Sequence, residues 1–303
     1  MLPRLKIKLF LPLSTATKYS QMQIIQTVTE LRNALKNQAN VAFVPTMGNL
    51  HAGHIHLVDI AKQHAACVVV SIFVNPLQFG VKEDLASYPR TLEADCEKLS
   101  TAGASFVFVP SVEEMYADFD GKNLNQTMTI NPPAIADALC GASRPGHFAG
   151  VATVVMKLFN IVTPHFAVFG KKDFQQLFMI RELVKQFDLP ITIIASETIR
   201  EDSSLAMSSR NGYLTQTQKI EAVKLQQTLK SIATKIQQGD IEFAALIHQA
   251  TQTLNNSGWL VDYISICSAS TLMPAGANDK ALVILAAAKI GNTRLIDNIE
   301  LTR

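Results

Sequence analysis

From Met22 onward the chain switches repeatedly between short, wholly apolar runs and longer stretches in which apolar residues return every three or four positions. The apolar runs are Val41–Pro45 (VAFVP), Cys67–Val74 (CVVVSIFV), Phe106–Pro110 (FVFVP), Phe166–Phe169 and Ile191–Ala195 (ITIIA). Runs of this length without polar alternation predict strands covered on both faces. Between them, Thr29–Asn37, Gly53–Gln63, Leu92–Ala102, Phe148–Asn160 and Asp173–Phe187 carry helical spacing, with Thr27 or Thr29 as a cap for the first and Gly103 closing the third. Strands alternating with helices predict an α/β fold, a Rossmann-like doubly wound parallel sheet. Ligands of such sheets bind beyond the carboxyl ends of the strands, near the point where the strand order reverses.

The pattern changes after about Arg200. Thr215–Gln238 predicts a long amphipathic helix with Ile220, Val223, Leu229, Ile232 and Ile236 on one stripe, stopped by Gly239. A second helix over Ile241–Leu254 and strands over Val261–Cys267 and Ala281–Ala288 complete a smaller α+β unit. The expected organisation is a nucleotide-binding domain over 22–198 and a C-terminal lid domain over 199–303, joined near Glu197–Asp202. Residues 1–21 are basic and lack acids, with two prolines breaking the apolar part. They read as an unstructured extension or an upstream start, with Met22 as the natural beginning, rather than as a signal peptide.

Composition narrows the class. A hydrophobic fraction of 48% and a charged fraction of 17% describe a folded chain. A formal net charge of +2 argues for neither a nucleic-acid groove nor a membrane-binding face. The four cysteines, Cys67, Cys96, Cys140 and Cys267, form no C-x-x-C pair, which points to a reducing, cytoplasmic setting. No apolar stretch reaches the roughly 18 residues of a membrane span.

Four segments carry candidate chemistry, three of them directly after predicted strands. In Pro45–His54 (PTMGNLHAGH) a strand runs through a turn at Gly48 into a helix, placing His51 and His54 on one face of its first turn. Free N–H groups and the dipole there favour an anion, and Gly53 lets a ligand approach the main chain. A triphosphate site, ordinary surface histidines, and a zinc site including His56 all remain open on this segment alone; zinc would need further convergent ligands. Gly170–Gln176 (GKKDFQQ) offers Lys172 as a mobile point charge and Asp173 as a helix cap or a partner for a ribose hydroxyl, or simply a capped helix start. Met207–Asn211 (MSSRN) offers two hydroxyls and a guanidinium to phosphate oxygens, or a polar interdomain loop. Phe73–Phe79 (FVNPLQF) places Gln78, able both to donate and to accept, toward the same crevice, or forms a surface turn. A Walker loop, a G-x-G-x-x-G fingerprint and a G-x-S-x-G elbow are missing from the sequence.

In this order, and together with YPRT (Tyr88–Thr91), RPGHFAGVATVV (Arg144–Val155) and TRLIDNIEL near the C-terminus, these segments resemble the pantothenate synthetase (pantoate–β-alanine ligase) family of the His-x-Gly-His nucleotidyltransferases. The resemblance implies an ATP-dependent ligase that joins pantoate to β-alanine through a pantoyl adenylate, releasing pyrophosphate and AMP. It implies catalytic roles for His54 as proton donor, His51 and Lys172. It implies ATP contacts from Met47, Gly48, Asn49, Leu50, His51, Ala52, Gly53 and His54, from Gly170, Lys171, Lys172 and Asp173, from Ile199, and from Met207, Ser208, Ser209 and Arg210. Gln78 and Gln176 would hold pantoate, and Gln78 would also meet β-alanine. Magnesium would be held mainly by ATP oxygens, with Asp95 as an outer contact and no direct protein ligand. A cytoplasmic homodimer is the expected form. Departures from the family pattern are Asn49 for Ala, Ala52 for Glu, Lys171 for an acid, and Ser203-Ser204 for Asp-Gly, the last implying a stiffer hinge.

Another His-x-Gly-His enzyme acting on a phosphorylated substrate would want cations where Gln78 and Gln176 stand. An aminoacyl-tRNA synthetase would want a basic RNA-binding domain. A catalytically dead nucleotide-binding regulator would be missing one of His51, His54, Lys172 or Arg210, and all four are present.

Overall fold

The computed structural model describes residues 22–80, 85, 88–121 and 123–303. The reading of 1–21 as an extension therefore lies outside the described residues. The apolar runs become strands β2 (Val41–Thr46), β3 (Cys67–Ile72), β4 (Phe106–Phe108), β5 (Phe166–Gly170) and β6 (Thr192–Ser196), with β1 (Gln23–Ile25) ahead of them. All pair in parallel in the order β1-β4-β3-β2-β5-β6.

Alternation along each strand explains why both faces are apolar. Val41, Phe43 and Val69 point into one core with Val155, Leu158 and Leu177. Ala42, Val44, Val68 and Val70 point into the other with Val58, Ala61 and Leu99. The first core takes residues from helices α1 (Val28–Leu35), α6 (His147–Val162) and α7 (Phe174–Gln186), the second from α2 (Ala52–His64) and α3 (Leu92–Ala102). Thr27 is the cap of α1, its hydroxyl accepting from the Glu30 amide at 3.2 Å. Two short helices, α4 (Val112–Met115) and α5 (Cys140–Ser143), sit in the connection between β4 and α6.

The C-terminal part is α+β, as expected. Helices α8 (Gln216–Gln237) and α9 (Phe243–Asn255) share one core with the antiparallel sheet β7-β8-β9, formed by Leu260–Ser268, Ala281–Ile290 and Thr293–Thr302. The stripe expected on α8 needs a correction. Ile220 is 73% exposed, whereas Ala222, Leu225, Leu229, Ile232 and Ile236 are buried. At about 100° per residue, Ile220 stands some 200° from Ala222, on the far side of the helix.

Strand β2 lies between β3 and β5, and the chain leaves it toward β3 but leaves β5 toward β6. The order reverses between β2 and β5, so a crevice opens at their carboxyl ends, where the His-x-Gly-His turn and the Gly-Lys-Lys-Asp turn emerge side by side.

Candidate active site

The turn after β2 is held from beneath. Gly48 and Asn49 both take positive φ, +83° and +51°. A Cβ on Gly48 would stand 3.1 Å from Ile72 Cγ2 and 3.3 Å from Asp95 Oδ2. The carboxylate of Asp95, fully buried on α3, accepts from the amides of Asn49 and Leu50, each at 2.8 Å, and from the Thr91 hydroxyl at 3.0 Å. Asp95 thus shapes this loop from behind.

His51 and His54 cap α2 with their rings. His51 Nδ1 accepts from the Gly53 amide at 3.1 Å, and His54 Nδ1 accepts from the His51 amide at 3.3 Å. The ring centroids lie 4.1 Å apart. An amide N–H can only donate, so each Nδ1 is unprotonated and each proton sits on Nε2. Burial, then the Lys172 charge, lowers His51 from 6.5 to about 4; burial, then His51 itself, lowers His54 to about 3. Both rings are therefore neutral N–H donors at pH 7.

Across the cleft, the turn after β5 presents Lys172 and Asp173. Asp173 occupies the N-cap position of α7 without a side-chain capping bond. Desolvation in the cleft works against its charge, but Lys172 and Arg210 outweigh this and hold its carboxyl below the usual range. Lys171 does not reach the cleft: its ammonium pairs with Glu197 at 2.5 Å and Glu300 at 2.6 Å. The Asn298 amide on β9 donates to the Lys171 and Lys172 carbonyls at 2.9 and 3.0 Å, fixing this turn from the C-terminal sheet.

Gln78 follows β3 in a short 3-10 turn, Pro76–Gln78. Its side-chain oxygen accepts from Asn75 at 3.1 Å and its side-chain nitrogen lies 3.1 Å from the Met47 sulfur. Asn75 accepts in turn from the buried Tyr116 hydroxyl at 2.6 Å and donates to the Gly150 carbonyl at 3.2 Å. Helix α6 presses directly on this turn, because a Cβ on Gly150 would lie 2.4 Å from the Leu77 oxygen. His147 Nδ1 is 2.9 Å from the Gln78 carbonyl, which only accepts, so Nδ1 carries the proton; Nε2 then accepts from Arg144 at 2.9 Å.

The third wall comes from the segment entering the C-terminal part. Arg200 and Ala206 form an antiparallel bridge, and Met207 N–H donates to the Ile199 carbonyl at 2.9 Å. Ser204, at the tip, takes φ +76°. Ser208 caps the 3-10 turn Ser209–Tyr213, its hydroxyl accepting from the Arg210 amide at 3.2 Å. The Arg200 guanidinium forks onto buried Asp297 with two bonds of 2.8 Å.

One cavity of about 250 Å³ takes in Met47, His51, Gly53, His54, Gln78, Gly170, Lys172, Asp173, Gln176, Ile199 and Met207–Arg210. Five expected ATP contacts, Gly48, Asn49, Leu50, Ala52 and Lys171, are not among its walls. Gly48, Asn49 and Leu50 belong to the turn Asp95 holds from behind, and Lys171 is drawn off by its two carboxylates. His56 also lies outside this lining, and among the described residues no three His, Cys, Asp or Glu side chains converge as a metal site. The loop-holding role of Asp95 and the contacts of Tyr116 and His147 went unread because they act through main chain or through another side chain. For Asp95 the signal is a buried acid, and for Tyr116 a buried hydroxyl.

A doubly wound sheet whose switch point carries neutral imidazole donors, with a lysine and an arginine across the cleft, defines a nucleotide-binding enzyme of the His-x-Gly-His type. The model of the Pantoate-beta-alanine ligase family matches residues 23–300. The pantothenate synthetase of Methylobacillus flagellatus is 63% identical over 279 residues, 92% of this chain and 98% of its own length. That of Thiobacillus denitrificans is 54% identical over 282 residues, covering 93% and 98%. The crystal structure of the Thermus thermophilus enzyme superposes with a TM-score of 0.87 at 39% identity, over 93% of this chain and all of that one. The pantoate-β-alanine ligase of Francisella tularensis, solved with β,γ ATP and β-alanine, gives 0.71 at 35% identity, over 92% and 97%. This chain belongs to the pantoate-β-alanine ligase family.

Proposed function

We propose that the chain condenses pantoate with β-alanine at the expense of ATP, and that the cleft residues take the roles expected from the sequence. The observation that carries this reading is the convergence of His51, His54, Lys172 and Arg210, donors suited to phosphate, with the uncharged amides of Gln78 and Gln176 in one cleft. Two neutral glutamines suit a hydroxy acid that brings its own single charge.

In the first step a pantoate carboxylate oxygen attacks the α-phosphorus. The bond to the bridging oxygen breaks, and its electron pair leaves with pyrophosphate. The Nε2–H groups of His51 and His54, Lys172 and Arg210 are assigned to the charge that grows on the phosphate oxygens. Fixed donors of this kind act strongly in a water-poor cleft. In the second step the uncharged amine of β-alanine attacks the acyl carbon, the bond to the adenylate oxygen breaks, and AMP departs with that electron pair. The extra proton on nitrogen passes to solvent. Holding the acid and nucleotide together supplies orientation that free reactants lack.

Magnesium is assigned to the nucleotide, which brings it in on its own phosphate oxygens, and no protein ligand is given to it. The segment 199–303 is read as a lid over 22–198, with Met207–Arg210 as its contact to phosphate. The working form is read as a cytoplasmic homodimer, an expectation from the family resemblance that a mass measurement in solution checks. Among the described residues no helix is long and apolar enough to cross a membrane.

The test is release of AMP and pyrophosphate from ATP with pantoate and β-alanine supplied. Dependence on both acids is expected. No turnover, or the same turnover without pantoate, would overturn the assignment.

A further inference from the structure

Two adjacent lysines follow β5 in one turn and meet opposite surroundings. The Lys171 ammonium is shared between Glu197 at 2.5 Å and Glu300 at 2.6 Å. Among the described residues the one ion contact of Lys172 is Asp173, at 3.9 Å, and Lys172 lines the nucleotide cavity.

The topology explains this division. Gly170 and Ser196 are partners in the ladder between β5 and β6, so Glu197 leaves β6 beside the two lysines. Glu197 also stands in the wall of the nucleotide cavity. On β9, Asn298 and Glu300 are two residues apart and share a face. Asn298 holds the carbonyls of Lys171 and Lys172, and Glu300 holds the Lys171 ammonium. Burial works against the Lys171 charge, but the bonds to Glu197 and Glu300 outweigh it and raise its pKa above the ordinary lysine value. Without Lys171, two carboxylates would stand unpaired beside the cation read as a phosphate contact. They would attract Lys172 and repel the phosphates. A lysine stands here where the family pattern has an acid, so the arrangement belongs to this chain and not to the motif.

We propose that Lys171 is a positioning residue that engages Glu197 and Glu300 and thereby leaves Lys172 free for the nucleotide phosphates. This rests on the reading of Lys172 as a phosphate contact and deepens it. Lys171 acts on ATP affinity through Glu197, Glu300 and Lys172, without touching the nucleotide.

The test is titration calorimetry of the full chain with magnesium-ATP, with the folding of each variant checked by thermal melting. Lys172→Met tests the underlying reading separately, and an unchanged ATP affinity in that variant would sink it. Lys171→Met should weaken ATP binding about fivefold, the upper end of what a partly exposed ion pair contributes. Lys171→Arg still presents a cation to both carboxylates and should stay within about twofold of the wild type. The deciding variant combines Lys171→Met with Glu197→Gln and Glu300→Gln. It loses both ion pairs but also both competing charges, so its ATP affinity should return to within about twofold of the wild type. The proposal is overturned if Lys171→Met binds ATP as tightly as the wild type. It is equally overturned if the triple variant stays as weak as Lys171→Met, which would make Lys171 a direct nucleotide contact or a purely mechanical tie.

Discussion

The side-chain amide of Asn298, near the end of the chain, donates to the main-chain carbonyls of both Lys171 and Lys172, 127 and 126 residues earlier. The turn that aims Lys172 into the cleft is therefore set by the C-terminal sheet. Asn298→Asp keeps the shape but turns two donors into acceptors that face two carbonyl oxygens. Leaving these buried groups unpaired costs about 1–3 kcal/mol. The expected result is a KM for ATP raised about tenfold and a melting point lowered by several degrees, read by steady-state kinetics and calorimetry. An unchanged KM for ATP would show that Lys172 is placed by other means.

The contact between α6 and the Gln78 turn gives a prediction opposite to helix propensity. Gly→Ala inside a helix ordinarily stabilises by up to about 1 kcal/mol. At Gly150 the new methyl would stand 2.4 Å from the Leu77 oxygen and 2.8 Å from the Gln78 Cα, both main chain that cannot swing away. Gly150→Ala should therefore destabilise by about 1–3 kcal/mol, as overpacking does. It should also raise the KM for pantoate more than that for ATP, because the displaced turn carries Gln78. A more stable variant with normal pantoate kinetics would refute the close approach.

These two sites show what sequence can and cannot carry. The strands buried on both faces, the helices between them and the His-x-Gly-His turn were legible, because periodicity and residue type report burial and local chemistry directly. Strand β1 was missed because three residues give no period. Strand β9 was not among the strands read from periodicity, since buried Asp297 and Asn298 break its apolar alternation. Ile220 misled because residue type says nothing about which side of α8 finds a partner. The cleft-lining side chains were readable one motif at a time. Asp95, Asn298 and His147 act on main chain 45 to 127 residues away, and that relation exists only once the chain is folded.

The two histidines make stability depend on pH in a definite direction. Their folded values, about 4 for His51 and about 3 for His54, lie below the ordinary 6.5. Between those limits the unfolded chain binds more protons than the folded one, so stability rises with pH. Lowering the pH from 7 toward 4 should thus lower the melting point progressively from about pH 6.5 downward. His54→Gln cannot take up a proton, so its acid limb should be shallower than that of the wild type. Superimposable melting curves for the two proteins between pH 4 and 7 would contradict the neutral, buried state of His54.

Two non-glycine residues at positive φ test the family departures. Asn49 at +51° sits where the family pattern has Ala, and Ser204 at +76° where it has Gly. Asn enters the left-handed region more easily than Ala because its short polar side chain bonds locally. Asn49→Ala should then cost about 0.5–1 kcal/mol. Ser204 is the reverse case. A residue with a Cβ held there carries roughly 1 kcal/mol of strain, and glycine would remove it while adding unfolded-state entropy. The balance favours Ser204→Gly by about 0.5 kcal/mol. Chemical denaturation should therefore move the two midpoints in opposite directions from the wild type. If both variants shift the same way, backbone strain does not govern these positions.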